Sequence, residues 1–219
     1  MNSFNVPRHN QGFRVAVDLD GTIIRMNDLV ADLINFRHGV DHDATDFSYW
    51  GWLEDNGYGE DLWDAYDFAD EIGARVGCGP YDGDVVDVLE VLSMVYDTDI
   101  VTCNGEEVVS QMWDWFNIYS SSEQMDVFLE QLDIRTIGRV DVNNKLDLEY
   151  DLYIDDSPNL INDIPDHPES LVLVMNAPWN EPEALDIDLD DYANAVRVRS
   201  WEEVYDIVTG VASEQTVTA

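Results

Sequence analysis

Two aspartates, Asp18 and Asp20, close the short apolar run Val15-Ala16-Val17 and lead into Gly21-Thr22. A second acidic pair, Asp155-Asp156, closes the run Leu152-Tyr153-Ile154, and the chain's only lysine, Lys145, stands ten residues ahead of Asp155. A third apolar run, Ile100-Val101, ends on the hydroxyl of Thr102. Carboxylates at strand ends, one fixed cation and a hydroxyl form a donor set for a divalent metal ion and a phosphoryl group. A phosphate dianion repels a carboxylate nucleophile, and a metal with a lysine offsets both charges. Magnesium takes oxygen ligands octahedrally and few protein carboxylates. That suits Asp18, the backbone carbonyl of Asp20 and Asp155 as direct ligands, with Asp156 reached through water. Asp18 is then the expected nucleophile and Asp20 the expected acid and base. Thr102 and Lys145 are expected to bind the phosphoryl oxygens.

These residues matter only if the fold brings them together. Phe13 to Asp18 reads as a buried strand ending at a glycine turn, and Asp99 to Thr102 as the next. About eighty residues lie between them, with helical periodicity and many aromatics, among them Leu29, Val30, Leu33 and Ile34, then Trp63, Tyr66 and Phe68. Residues 25–78 are expected to form a small helical cap, with residues 1–24 and 79–211 as the core domain and 212–219 as a frayed tail. Pro80-Tyr81-Asp82-Gly83 signals a turn, and Val85 to Leu92 follows a helical face. Helices are expected over Glu106 to Tyr119 and Ser122 to Leu132, a strand near Thr136 to Val140, strands at Leu152 to Asp155 and Leu171 to Met175, and a last helix at Trp201 to Val208. Strands alternating with helices predict an α/β fold with a parallel sheet flanked by helices. Ligands of such sheets sit beyond the carboxyl ends of the strands, where Asp18, Thr102 and Asp155 all fall.

Composition sets the surroundings. The 219 residues carry ten basic and forty-seven acidic side chains, a formal charge of −37, with 45% apolar content. That much apolar residue argues for a folded chain with an acidic surface rather than disorder. Two explanations compete for the acid, adaptation to molar salt, where self-repulsion is screened, and binding to a cationic partner, and the dispersion of the acids along the chain favours the first. Polynucleotide partners are disfavoured, because few cations are available to neutralise phosphates. The segment Met1 to Arg14 has no apolar signal core and no run approaches the length needed to span a bilayer, which predicts a cytoplasmic protein with no membrane partner. The oligomeric state is open, a homodimer included. Cys78 and Cys103 could pair. In so acidic a chain, Asp186-Ile187-Asp188-Leu189-Asp190-Asp191 reads as solvated surface, and His9, His38, His42 and His167 show no zinc-ligand grouping.

The motif series Asp18-Leu19-Asp20-Gly21-Thr22, Ile100-Val101-Thr102, Lys145 and Ile154-Asp155-Asp156-Ser157-Pro158 resembles that of the haloacid dehalogenase (HAD) superfamily of phosphotransferases, in order and spacing over residues 13 to 176. Within that superfamily the chain is similar to the 5′(3′)-deoxyribonucleotidases. The further matches are the cap directly after the first motif, Pro80 to Gly83, the ten-residue lysine-to-acid spacing, Met175 to Asn180, and Ser200 to Val204. Cys103-Asn104 departs from that family, which usually carries a small hydroxyl residue and a proline there.

The resemblance implies a HAD-like Rossmannoid sheet and a magnesium-dependent phosphomonoesterase acting through an aspartyl-phosphate on nucleoside monophosphates. A nucleotide under a cap needs a stacking surface, which Phe47, Tyr49 or Trp50 could provide. The alternatives are another small phosphate ester, such as a sugar phosphate or a nucleic-acid 3′ end, and a non-catalytic nucleotide-binding protein that kept the fold.

Overall fold

The computed structural model describes residues 12–120, 132–137 and 142–210. Six strands form one sheet: β1 (Arg14–Val17), β2 (Asp97–Thr102), β3 (Asp133–Thr136), β4 (Leu152–Asp155), β5 (Leu171–Met175) and β6 (Ala195–Val198). Their order is β3-β2-β1-β4-β5-β6 and every pairing is parallel. The parallel α/β architecture expected from the sequence is therefore present, with β1 in the interior between β2 and β4.

Side-chain alternation sorts the sheet into two buried faces. Val15, Val17, Ile100, Leu152, Ile154 and Leu173 point to one core, with α4 (Val85–Val95), α5 (Glu107–Tyr119) and α7 (Trp201–Thr209) against it. Ala16, Val101, Tyr153, Val172 and Val174 point to the other. That second face is covered by shorter pieces, the 3-10 helix Val142–Leu148 and α6 (Pro158–Asn162), whose Leu146, Leu160 and Ile161 supply the apolar cover. Burial on both faces explains why the strands read as near-continuous apolar runs.

Between β1 and β2 lie α1 (Met26–His38), α2 (Trp52–Asp55) and α3 (Gly59–Ile72). Their apolar sides meet around Val30, Ile34, Phe47, Leu53 and Ala65, and the same cluster takes in Ala177 and Trp179 from the loop after β5. Arg37 and His38 of α1 bind Asp61 of α3, which ties the two helices at their polar edge. Gly73 ends α3 with φ of +71°, a left-handed conformation that glycine adopts without a Cβ penalty. The chain turns there into the 3-10 helix Ala74–Gly77.

Some expectations shift. The third strand is Asp133–Thr136, starting ahead of the expected Thr136 to Val140, of which residues 138–140 lie outside the described residues. It is an edge strand whose Asp133 and Arg135 face out while Ile134 packs inward, so its apolar signal is a single residue. Ala195–Val198 is an additional edge strand that the sequence pattern does not predict, because Arg197 interrupts its apolar run. The expected helix Ser122 to Leu132 and the tail 212–219 fall largely or wholly outside the described residues. Cys78 and Cys103 are free thiols, not a disulfide. The segment Asp186 to Asp191 carries exposed acids and a 3-10 turn, with Ile187 and Leu189 resting on the second core. No described helix is long and apolar enough to cross a membrane.

Candidate active site

Register decides which side chains meet. Val17 is level with Ile100 on one side and with Ile154 on the other. The next residue, Asp18, still donates its N–H to the Ile154 carbonyl at 2.9 Å, so it leaves the sheet beside Asp155. The chain then folds back tightly, the N–H groups of Ile23 and Ile24 both donating to the Leu19 carbonyl. Gly21 sits inside this turn at φ of +91°, and a Cβ there would lie 2.2 Å from Asp156 Oδ2. Only glycine lets the turn approach the second acidic pair so closely.

The carboxylates of Asp18, Asp155 and Asp156 bring ligand oxygens within 4.8 Å of one another. Lys145, 6% exposed, donates to Asp18 and, at 2.8 Å, to Asp155 Oδ2. The other Asp155 oxygen accepts from the Ser157 N–H at 2.8 Å. Asp156 accepts from the Trp179 indole N–H at 2.9 Å and from the Thr22 hydroxyl at 3.4 Å. Asn180, fully buried, holds the Asp156 carbonyl at 2.7 Å and is held in turn by Arg197 of β6. The edge strand thus supports the acid-bearing loop two strands away.

Charge balance at this spot is unfavourable without a further cation. Burial pushes the Asp18 carboxyl up to about 7, against the pull of Lys145 and with Asp155 adding to the rise. Asp156 is raised well above the carboxylate range, first by burial and then by Asp18 and Asp155. Burial works to lower the Lys145 ammonium, but Asp155 and Asp18 outweigh it and hold it well above its ordinary value. Three carboxylates, Asp155 and Asp156 buried and Asp18 nearly so, stand around one ammonium and are short of positive charge. An all-oxygen donor set of this kind fits a hard divalent cation.

Asp20 points elsewhere. Its Oδ2 accepts from Asn104 Nδ2 at 2.6 Å and its Oδ1 lies 3.6 Å from Arg75 Nε, so its carboxylate is outside the three-acid cluster. Thr102, at the end of β2, is buried beside it and accepts from the same Asn104 amide at 2.8 Å. Asp18, Asp20, Thr102, Lys145 and Asp156 all border one cavity of about 240 Å³; Asp155 stands just behind, bound to Lys145. Much of the rest of the lining is aromatic. It includes Phe47, Tyr49 and Trp50, and also Trp63, Tyr66 and Trp179. Phe47 is buried in the packing of α1 to α3, against Trp52, whereas Trp50 and Trp63 are each about half exposed. Tyr49 donates its hydroxyl to Asp55 at 2.8 Å. Cys103 also borders the cavity, and burial pushes its thiol up to about 12, which keeps it protonated.

Sequence reasoning missed Arg75, whose guanidinium is fully buried against Asp20, Asp70 and Asn104. The available signal was its setting. It stands among small and apolar residues, Gly73-Ala74-Arg75-Val76-Gly77, with Asp70 five positions ahead as its acidic partner nearest in sequence. Asn104 was visible only as a departure from a family pattern, and its side-chain hydrogen bonds to Asp20, Thr102 and Arg75 show what it does in this chain.

No protein-family model matches the sequence, and no curated protein matches it. Solved structures do. A haloacid dehalogenase-like family hydrolase from Streptococcus pneumoniae superposes with a TM-score of 0.55 at 14% identity, over 88% of this chain and 96% of that one. A HAD family hydrolase from Deinococcus radiodurans R1, solved with bound phosphate and sodium, gives 0.53 at 12% identity, over 91% and 96%. What this chain shares with them is architecture: it has the haloacid dehalogenase-like fold.

Proposed function

We propose that this protein is a metal-dependent phosphomonoesterase whose substrate is a nucleoside monophosphate. The observation that carries the reading is the convergence of Asp18, Lys145, Asp155 and Asp156 at the carboxyl ends of β1 and β4, with too little positive charge for three acids. The donor set fits magnesium. A cation held by Asp18, Asp155 and Asp156 would supply charge neutralisation, so that an anionic phosphate can approach an anionic nucleophile. The fold shared with HAD hydrolases supports the same class.

Asp18 attacks phosphorus, forming the Oδ–P bond as the ester P–O bond breaks, and the departing oxygen takes a proton from Asp20. In the second step Asp20 takes a proton from water as its oxygen attacks phosphorus. The Asp18–phosphorus bond breaks, orthophosphate leaves and both carboxyl groups return to their starting states. Thr102 accepts from Asn104, so its own O–H is left to donate to a phosphoryl oxygen. Lys145 offsets charge on Asp18 throughout. The nucleotide part of the reading rests on the aromatic lining, since base–aromatic stacking contributes about 1 to 3 kcal/mol per base. Lys145 is the cation among the residues bordering the cavity, enough for one phosphoryl group.

The test is phosphate release from deoxy- and ribonucleoside monophosphates and sugar phosphates, in molar KCl, with magnesium and then with excess EDTA. Turnover of nucleotides that EDTA abolishes is the expected result. Turnover of sugar phosphates alone would keep the chemistry and discard the nucleotide. Binding of nucleotides without any turnover would point to a non-catalytic protein.

Trp179→Phe should weaken magnesium binding by about 10- to 100-fold, because it removes the donor that orients Asp156 while keeping an aromatic ring. Isothermal titration of the folded variant measures this. Unchanged affinity would remove Asp156 from the metal assignment or Trp179 from its support.

A further inference from the structure

The geometry points to Arg75 and Asn104 as positioning residues that clamp Asp20 for proton transfer, a role that rests on the reading of Asp20 as acid and base. Asn104 reaches three groups at once. Its Nδ2 donates to Asp20 Oδ2 at 2.6 Å and to Thr102 Oγ1 at 2.8 Å, and its Oδ1 accepts from Arg75 Nη2 at 2.9 Å. Both amide hydrogens donate and the oxygen accepts, and the three partners come from the β1 turn, the end of β2 and the segment after α3. Its orientation is fixed by the Arg75 donor, since a flipped amide would set NH₂ against guanidinium.

Arg75 closes the ring from the opposite side. Its Nη1 binds Asp70 near the end of α3, its Nη2 binds Asn104, and its Nε stands 3.6 Å from Asp20 Oδ1. The guanidinium has no exposure, and its rigid fork holds these separations in a way a flexible ammonium does not. Asp20 Oδ1 and Arg75 Nε are both buried and, among the described residues, neither makes a hydrogen bond. The carboxylate is therefore held by a hydrogen bond at one oxygen and by a nearby charge at the other, short of full engagement. The arrangement fixes the direction of the carboxylate without a two-point pairing to Arg75, so one oxygen keeps no hydrogen-bond partner among the described residues. The same Asn104 amide sets the Thr102 hydroxyl, so the proton donor and the phosphoryl-binding group are aligned together.

Arg75 reaches Asp20 from the segment after α3 and Asn104 from the loop after β2. Positioning by a second layer of side chains matters because proton transfer requires heavy-atom separations near hydrogen-bond length.

The experiment compares wild type with Arg75→Lys and Asn104→Ala on two substrates. One is the alkyl phosphate ester that wild type turns over best, whose alkoxide needs a proton as it departs. The other is p-nitrophenyl phosphate, whose phenolate leaves without one. Leaving-group release is followed in the first turnover, with magnesium saturating, and KM is measured separately. Both variants are expected to slow alkyl release by about 100-fold and p-nitrophenolate release by less than about fivefold, with KM changing by less than about threefold. Equal slowing on both substrates, loss in KM alone, or alkyl release close to wild type would overturn the proposal. Asn104→Ala leaves the buried cation and its Asp70 partner in place, and decides the matter by itself should Arg75→Lys fail to fold. Failure of folded wild type on every ester would overturn the phosphatase reading and this role together, a result distinct from the others because it appears before any variant is made.

Discussion

Asp18→Asn is expected to lower phosphate release by about 10⁴-fold or more with substrate and magnesium saturating, because an amide cannot form the phosphorus–oxygen bond that a carboxylate forms. The fold should survive. Asp18 is a buried acid pushed up from 3.8 to about 7. A carboxyl raised in the folded state binds more protons folded than unfolded between those values, so its contribution to stability falls as pH rises through that interval. At pH 7.5 the ionised carboxylate is a cost in the metal-free protein, and the neutral amide removes it while Lys145 keeps Asp155 as a partner. Calorimetry of the EDTA-treated variant should therefore show a melting temperature no lower than wild type. Near-normal turnover in Asp18→Asn would sink the nucleophile assignment, and a large drop in melting temperature would sink the charge account.

Lys145→Met should act in the opposite direction on stability. The ammonium is buried and donates to two carboxylates, and methionine keeps its approximate length without its charge. Breaking a buried ion pair from one side costs about 3 to 5 kcal/mol, since the remaining charges stay out of water unpaired. For a chain of this size that corresponds to a melting temperature lower by roughly 6 to 20 °C in the metal-free state. Magnesium should restore a larger share of stability to the variant than to wild type, because a cation then supplies compensation that the lysine no longer gives. Turnover is expected to fall by about 100- to 1,000-fold through loss of charge stabilisation at the phosphoryl group. A variant that melts like wild type in EDTA would mean the three acids shed their charge by protonation instead.

The sequence revealed some of these features more readily than others, for physical reasons. Val15 to Val17 and Leu152 to Ile154 are buried on both faces of an interior sheet, so their strands are continuous apolar runs, and the polar residues that stop them stand out. That is why Asp18 and Asp155 could be placed at strand ends before any coordinates. Asp133–Thr136 and Ala195–Val198 are edge strands with outward-facing or partly exposed charges, and their pattern is too short and too mixed to separate from loop. Lys145 was legible through scarcity, as one lysine in a chain of acids. Arg75 was not, because an arginine in such a chain looks like surface countercharge, and its partners Asp20 and Asn104 come from other elements. Trp179 and Asn180 stood in a stretch that resembled a family pattern, but that they grip Asp156 depends on how the loop after β5 folds over the end of β4.

The interior place of β1 also has a meaning in time. Its neighbour β4 is made late in synthesis, and Asp18 meets its lysine only across 127 positions of chain. In a growing chain that has not yet reached Lys145, Asp18 lacks Lys145, Asp155 and Asp156 as neighbours. Its raised proton affinity arrives when those residues dock alongside it, and so would the cation site and the nucleophile we propose. Ribosome-bound fragments ending before Lys145 would therefore carry the first motif in full without the neighbours on which its proposed chemistry depends.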